Sequence, residues 1–282
     1  MSKFALVHVP IAALHAVPDT HGELADEVLH GMTVEILETT PDGWARVRTA
    51  YQYEGYTRGE NLVADDGPLS RWQGQPKSVV TRAQADVLNV PNIRGWRVAS
   101  LPRGAVVSLL PQAEEDGWVC VGLADGRQGY TRASHLGEYR ATWSPAEEPT
   151  LRKRLMDTAL SYLGVQYRWG GKTPQGIDCS GLCSMAYLVN GVVIYRDADI
   201  GDGFCMRQIP LAEAGEGDLI FFPGHVAMHL GNGHYIHATA KNGSDGVVLN
   251  SLNPQDEDFR PDLLAKVRFA GSIFTSKAGD LL

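Results

Sequence analysis

The sequence predicts a multidomain protein in which two small all-β barrels precede an α+β domain. Three observations carry that expectation. The chain has 282 residues, and at ~100 to 200 residues per domain this points to two or three cores. The first half repeats itself, and beyond about residue 150 the pattern changes from short β-branched runs to one or two helices followed by strands. Hydrophobic residues make up 44 % and charged residues 21 %, enough apolar material for cores of ordinary density, which excludes a disordered or fibrous chain.

The repeat is marked by turn residues. Val17-Pro18 recurs as Val90-Pro91 and Gly31 as Gly104, each 73 residues on. Asp42-Gly43-Trp44 recurs as Asp116-Gly117-Trp118, and Gly55-Tyr56-Thr57-Arg58 as Gly129-Tyr130-Thr131-Arg132, each 74 on. Between these turns the segments 33–37, 45–47 and 105–110 are short, β-branched and bounded by Gly, Pro and Asp, as strands of a small antiparallel barrel would be. The expected organisation is a first barrel over residues 1–66, a linker over 67–77, a second barrel over 78–137, a linker over 138–150 and a last domain over 151–282. The first, with the residues just before it, is rich in Asp, Gly, Pro and Gln, and the second carries Pro145, Pro149 and several Glu.

In the last domain Thr150 is expected to cap a helix whose apolar face is Leu151, Leu155, Met156, Ala159, Leu160 and Leu163, stopped by Gly164. A second helix is expected to start at Cys179, because Leu182, Cys183, Met185, Ala186 and Val189 follow at helical spacing. Strands follow at 218–222, 225–230, 234–239, 246–252 and 266–273. A thiol at a helix N-terminus meets the positive end of the dipole, which predicts a lowered pKa and a ready nucleophile.

The hairpin 225–238 supplies the partners. Gly231-Asn232-Gly233 separates two alternating runs, and a turn centred on Asn232 puts Ala227 opposite His237. Odd-numbered side chains on both arms then share a face, so His225 and His237 become diagonal neighbours. One imidazole can accept the cysteine proton while the second orients it. Val226, Met228, Leu230 and Ile236 are expected to face the core, and His229 and His234 to be structural or solvent-facing.

These residues resemble the NlpC/P60 cysteine peptidases. The resemblance rests on Tyr167 to Gly171, on Asp178-Cys179-Ser180-Gly181, on residues 217–222 and on the histidine hairpin. It implies a papain-like α+β NlpC/P60 domain, with Cys179 as nucleophile, His225 as base and acid, and His237 as orienting member. It also implies that the Tyr167 hydroxyl stabilises the oxyanion with the Cys179 backbone N–H, and that Trp169, Asp178 and Ser180 belong to the site. The chain departs from the family at Ala227, where Gly is common, and at His229, where an aromatic residue is common.

The repeat resembles bacterial SH3-like modules. Two of these before such a peptidase look like the γ-D-glutamyl-L-diamino acid endopeptidases of murein recycling, whose substrate carries a free N-terminal L-Ala. That subgroup implies Asp197 as the carboxylate that reads the ammonium, with Glu23 and Tyr56 of the first barrel closing the pocket. Arg196, Arg168 or Ser180 would supply donors to the substrate carboxylates.

Alternatives stay open. A general cell-wall endopeptidase would cut intact peptidoglycan. A zinc hydrolase would use His225, His229 and His237 on one strand face, although no Asp or Glu nearby is placed to act as its base. A non-catalytic murein-binding protein would work through its barrels. The expected reaction needs no cofactor and no metal. The charge of −8 argues against nucleic-acid or anionic-membrane partners. No run approaches the ~18 apolar residues of a membrane span. The first residues make a poor signal peptide, and four cysteines are too few for a disulfide scaffold, which together predict a cytoplasmic protein with reduced thiols.

Overall fold

The computed structural model describes residues 3–112 and 116–274. The chain divides into two compact units, Met1–Tyr139 and Arg140–Leu282.

The first unit holds two seven-stranded antiparallel sheets. Strands β1 to β7 span Phe4–Val7, Ile11–His15, Leu24–Leu29, Thr33–Thr39, Trp44–Thr49, Glu54–Arg58 and Leu62–Val63. Strands β8 to β14 span Lys77–Val80, Gln84–Leu88, Arg97–Pro102, Val106–Leu109, Trp118–Gly122, Gln128–Arg132 and Leu136–Glu138. Their orders are β3-β2-β6-β5-β4-β1-β7 and β10-β9-β13-β12-β11-β8-β14. Adding seven to every strand of the first gives the second, so the sequence repeat is a repeat of topology. Each sheet wraps its own apolar cluster, with Leu14, Val28 and Val47 in one and Val87, Leu101 and Val121 in the other.

The repeated motif has a physical cause. Trp44 lies opposite Arg58 and Trp118 opposite Arg132. Each guanidinium stacks on its indole, 5.2 and 4.2 Å from the ring centroid, and donates to the carbonyl of Asp42 or Asp116. The glycines at 55 and 129 let neighbouring strands close in: a Cβ there would come within 2.9 Å of Leu14 Cβ or 2.6 Å of the Leu88 carbonyl oxygen.

The segment expected as the first linker is folded. Residues Asp66–Gly74 form helix α1, with Leu69 and Trp72 buried. They pack with Leu6 of the first sheet, Val106 of the second and Ala124 in the turn after β12. The Asp, Gly, Pro and Gln content that suggested a linker belongs to the solvent side of this short helix. Beside it, the backbone N–H of Val106 donates to His30 O at 2.8 Å.

The second expected linker is also largely structured. Glu138 is still in β14, Ser144 caps the 3-10 turn Pro145–Glu147 with a capping box, and helix α2 follows directly over Glu148–Leu160. The helix therefore starts before Thr150. Leu151, Leu155 and Ala159 are buried as expected, but Leu160 and Leu163 are exposed. The i, i+4, i+8 stripe turns inward together with Arg152, which pairs with Glu148 (3.0 Å) and Asp218 (3.4 Å).

Strands β15 (Lys172–Thr173) and β16 (Gly176–Ile177) form a small ribbon before helix α3, Cys179–Leu188. Then come β17 (Arg207–Ile209), β18 (Leu219–Phe222), β19 (His225–Gly231), β20 (His234–Thr239) and β21 (Gly246–Ser251). Helix α4 (Pro261–Leu264) and β22 (Phe269–Ser272) complete the unit. The antiparallel sheet runs β17-β22-β18-β19-β20-β21, with α3 packed on β19 and β20, an α+β layout. No helix among the described residues is long and apolar enough to cross a membrane.

Candidate active site

Helix α3 begins at Cys179 because Asp178 caps it. Asp178 Oδ1 accepts the Gly181 N–H at 2.5 Å, and Oδ2 accepts that of Gly170 at 2.8 Å. Arg196, 1 % exposed, closes the other side of the carboxylate with two bonds of 3.1 Å and donates to Ser180 Oγ at 2.8 Å. Glycine is required at 181, where a Cβ would meet Gly171 O at 2.2 Å. The Asp-Cys-Ser-Gly and Gly-Gly signatures are thus one docking of a helix N-terminus onto the backbone of the turn before β15.

This arrangement corrects two expectations. Asp178, expected beside the substrate, spends both oxygens on the cap and on Arg196. Arg196, expected to bind substrate carboxylates, is sealed in that ion pair, and Arg168 donates to Gln175 O at 2.9 Å.

The backbone N–H groups of Val226 and Ser180 lie close enough to the Cys179 thiol to favour its ionised form. Val226, the residue after His225, is thus a neighbour of the thiol. Burial, then the Asp178 carboxylate, pushes the thiol up to about 11, against these two N–H groups. The expectation of a dipole-lowered thiol is reversed, because desolvation outweighs the helix terminus.

The hairpin register is the one the sequence predicts. Met228 pairs with Ile236 and His229 with Tyr235, and extension of that register puts Ala227 opposite His237. The route differs. Asn232 and Gly233 make a two-residue turn with positive φ, and one bulge residue, Leu230, separates the His229 and Gly231 pairs. A turn without the bulge would set Met228 opposite His237 and turn the two histidines to different faces. Val226, Met228 and Ile236 are buried as expected, while Leu230 is partly exposed at the bulge.

His225 Nε2 and His237 Nδ1 are 2.8 Å apart, with ring centroids 5.0 Å apart. His237, fully buried, contacts Asn250 Oδ1 through Nε2 at 3.0 Å. Burial lowers His225 to about 3, helped by His237 and Arg260, and lowers His237 to about 4 against the Asn250 hydrogen bond. Both rings are neutral at pH 7. His229 turns to Gly215 O at 3.1 Å, so the three imidazoles of the zinc alternative do not converge.

Tyr167 is partly buried. Burial, with Cys179 and Asp178 adding, raises its hydroxyl to about 12, so it stays protonated and able to donate. Trp169 is 61 % exposed and faces solvent. Asp197 lines a pocket with Ser180, Tyr195, Asp199, Phe204 and Val226, and Ser180 and Val226 are the residues whose N–H groups lie close to the thiol. Cys183 is buried, as expected for a core residue, and shares that wall. Glu23 and Tyr56 belong to the first unit. There His15 of β2 pairs with Tyr56 of β6, and the N–H of Ala16 donates to the carbonyl of Glu23 just before β3, which places the two on opposite sides of the end of β2.

Asn250 was missed from the sequence. Its signal was an amide in the otherwise apolar run of β21. Tyr235 pairs with Asn250 and His237 with Val248, which sets the amide diagonal to His237 on one face.

Residues 164–258 match the NlpC/P60 family, and residues 14–62 match the bacterial dipeptidyl-peptidase Sh3 domain. Dipeptidyl-peptidase 6 of Lysinibacillus sphaericus is 43 % identical over 272 residues, covering 96 % of this chain and 99 % of that relative. The peptidoglycan endopeptidase RipB of Mycobacterium tuberculosis is 39 % identical over 130 residues, 40 % of this chain and 50 % of its own length. Among solved structures, an NlpC/P60 family protein from Bacillus cereus superimposes with a TM-score of 0.76 at 21 % identity, over 95 % of this chain and 98 % of its own, a likeness of fold. A relationship that runs nearly end to end at this identity, together with a helix that starts at a cysteine and packs on a histidine hairpin, shows that the chain belongs to the NlpC/P60 family of cysteine peptidases.

Proposed function

We propose that the protein hydrolyses the bond between γ-D-Glu and the diamino acid of murein peptides with a free N-terminal L-Ala, as a cytoplasmic step of cell-wall peptide recycling. The observation that carries this reading is the pocket next to the site, lined by Ser180 and Val226, the neighbours of Cys179 and His225, and by Asp197, Asp199 and apolar residues. An ammonium two residues from the scissile bond is a fitting occupant, and the end-to-end similarity to a dipeptidyl-peptidase supports cleavage at that distance.

In this reading His225 takes the thiol proton as the Cys179 sulfur attacks the γ-carbonyl carbon of D-Glu. The Cys179 N–H, at a helix start where such groups lack intrahelical partners, and the Tyr167 hydroxyl donate to the oxyanion. Collapse of the tetrahedral species gives a thioester, and His225 returns the proton to the departing amine. Water, deprotonated by His225, then splits the thioester and restores the thiol. His237 holds His225 in place throughout.

Mass spectrometry of products from L-Ala-γ-D-Glu-diamino acid peptides with free and acetylated amines tests the reading. Release of L-Ala-D-Glu from the free peptide alone is expected, and it should vanish in Cys179→Ala. Asp197→Asn should reduce cleavage of the free peptide by at least about 10-fold, the order of one lost charge-assisted contact. Equal cleavage of both peptides would favour the general endopeptidase reading instead.

A further inference from the structure

The geometry points to Asn250 as a positioning residue that fixes which nitrogens of His237 and His225 carry their protons. The inference rests on the reading of Cys179 and His225 given above and extends it by one residue that the Cys-His-His trio leaves out.

Donors and acceptors form a chain from a backbone carbonyl to His225. Asn250 Nδ2 donates to the backbone carbonyl of Asp258 at 2.8 Å. That carbonyl is held from the other side by the Ser251 N–H at 3.2 Å, and the Arg260 N–H in turn donates to Ser251 O at 3.0 Å. A carbonyl only accepts, so the Asn250 NH2 must point to it and Oδ1 must point to His237. Oδ1 also only accepts, so the His237 nitrogen facing it, Nε2 at 3.0 Å, carries the proton. His237 is fully buried and neutral, so its Nδ1 is then bare and accepts from His225 Nε2 at 2.8 Å. His225 must carry its proton on Nε2, which leaves Nδ1 free as the base for the thiol. One backbone carbonyl, relayed through an amide and a ring, sets the tautomer of the general base. Without the amide, His237 is free to protonate Nδ1 instead. His225 Nε2 would then become the acceptor and its proton would move to Nδ1, the nitrogen the mechanism needs bare. The charged groups acting on this pair are Arg260 and Asp262, and neither is part of the relay.

The test uses the full chain carrying Asn250→Leu or Asn250→Asp, with L-Ala-γ-D-Glu-diaminopimelate as substrate and 15N-histidine spectra of the resting protein. Asn250→Leu should lower kcat by between about 10-fold and about 10⁴-fold, the range between a lost supporting contact and a wrong triad tautomer, while KM moves less than about 3-fold. The spectra should lose the Nε2–H signature of both rings. Asn250→Asp keeps an acceptor for His237 and should retain the tautomers and more activity than Asn250→Leu. Its carboxylate should also move the acid limb of kcat/KM to higher pH. Wild-type kcat in Asn250→Leu, unchanged tautomers there, or an unshifted limb in Asn250→Asp would each overturn the assignment. If Asn250→Leu fails to fold, the Asn250→Asp limb still decides. Should the tripeptide resist the wild-type protein, or be cut by Cys179→Ala, the functional reading fails instead, and the tautomer spectra still judge Asn250.

Discussion

Cys179 keeps its proton at neutral pH because it is almost wholly desolvated and lies beside a carboxylate, and His225 stays neutral for the first of those reasons. Burial of both groups acts against an ion pair and favours a resting thiol and imidazole. Activation must therefore come from proton transfer during attack. It follows that the alkylation rate of Cys179 by iodoacetamide should climb steadily through the alkaline range towards about 11, with no plateau at acid or neutral pH. A rate already constant at pH 6 would show a pre-formed thiolate and refute this picture. Arg196 offers a second residue-scale test. It is the buried counter-ion of the capping carboxylate, and Arg196→Met leaves Asp178 charged, buried and half-satisfied. A loss of about 3–5 kcal/mol in urea unfolding of the second unit is expected, with activity falling in step with the folded fraction.

Among the elements, the β19–β20 hairpin converts sequence parity into chemistry. The bulge at Leu230 permits the catalytic register, and Gly231, with φ 93°, is the residue that closes it. A β-branched residue there costs about 1–3 kcal/mol of backbone strain, which a slip to the unbulged register relieves by separating the two histidines. Gly231→Val should thus lose most of its activity, whereas Gly231→Asn, which tolerates positive φ, should keep most of it; kcat/KM measured on equally folded samples separates register from stability. This hairpin was legible because Asn-Gly turns and period-two alternation are local signals, and so was α3, whose apolar spacing starts right after an Asp cap. Helix α1 was not legible. Its nine residues carry only two buried side chains, Leu69 and Trp72, in a Gly- and Pro-containing segment, and only the neighbouring sheets give those two something to bury against. Asn250 escaped for a similar reason: its role depends on a carbonyl supplied by a loop, which strand parity alone does not place.

At the scale of the whole molecule, pH probes what joins the two sheets of the first unit. The first unit joins two copies of one sheet topology, and His30 ties them. Its Nδ1 donates to His8 O at 2.8 Å in the first copy, and its Nε2 accepts the Ala124 N–H of the second at 3.1 Å. The ring lies edge-on to Trp72, 6.3 Å between centroids, and is 1 % exposed. Protonating Nε2 would turn an acceptor into a donor facing a donor, and burial accordingly lowers His30 to about 4. Because the folded pKa lies below the unfolded value of 6.5, the unfolded chain binds the extra proton between pH 6.5 and 4, and stability falls as pH falls through that window. From this one residue the loss between pH 7 and pH 5 comes to about 2 kcal/mol. His30→Gln, which keeps a donor and an acceptor but cannot titrate, should be less stable at pH 7 yet lose about 2 kcal/mol less on acidification. Urea unfolding of both proteins at pH 7, 6 and 5, followed by tryptophan fluorescence, reads the difference directly. The subtraction removes His225, His237 and the carboxylates, which titrate in both. Parallel pH slopes for the two proteins would mean that His30 is not the acid-sensitive joint between the copies.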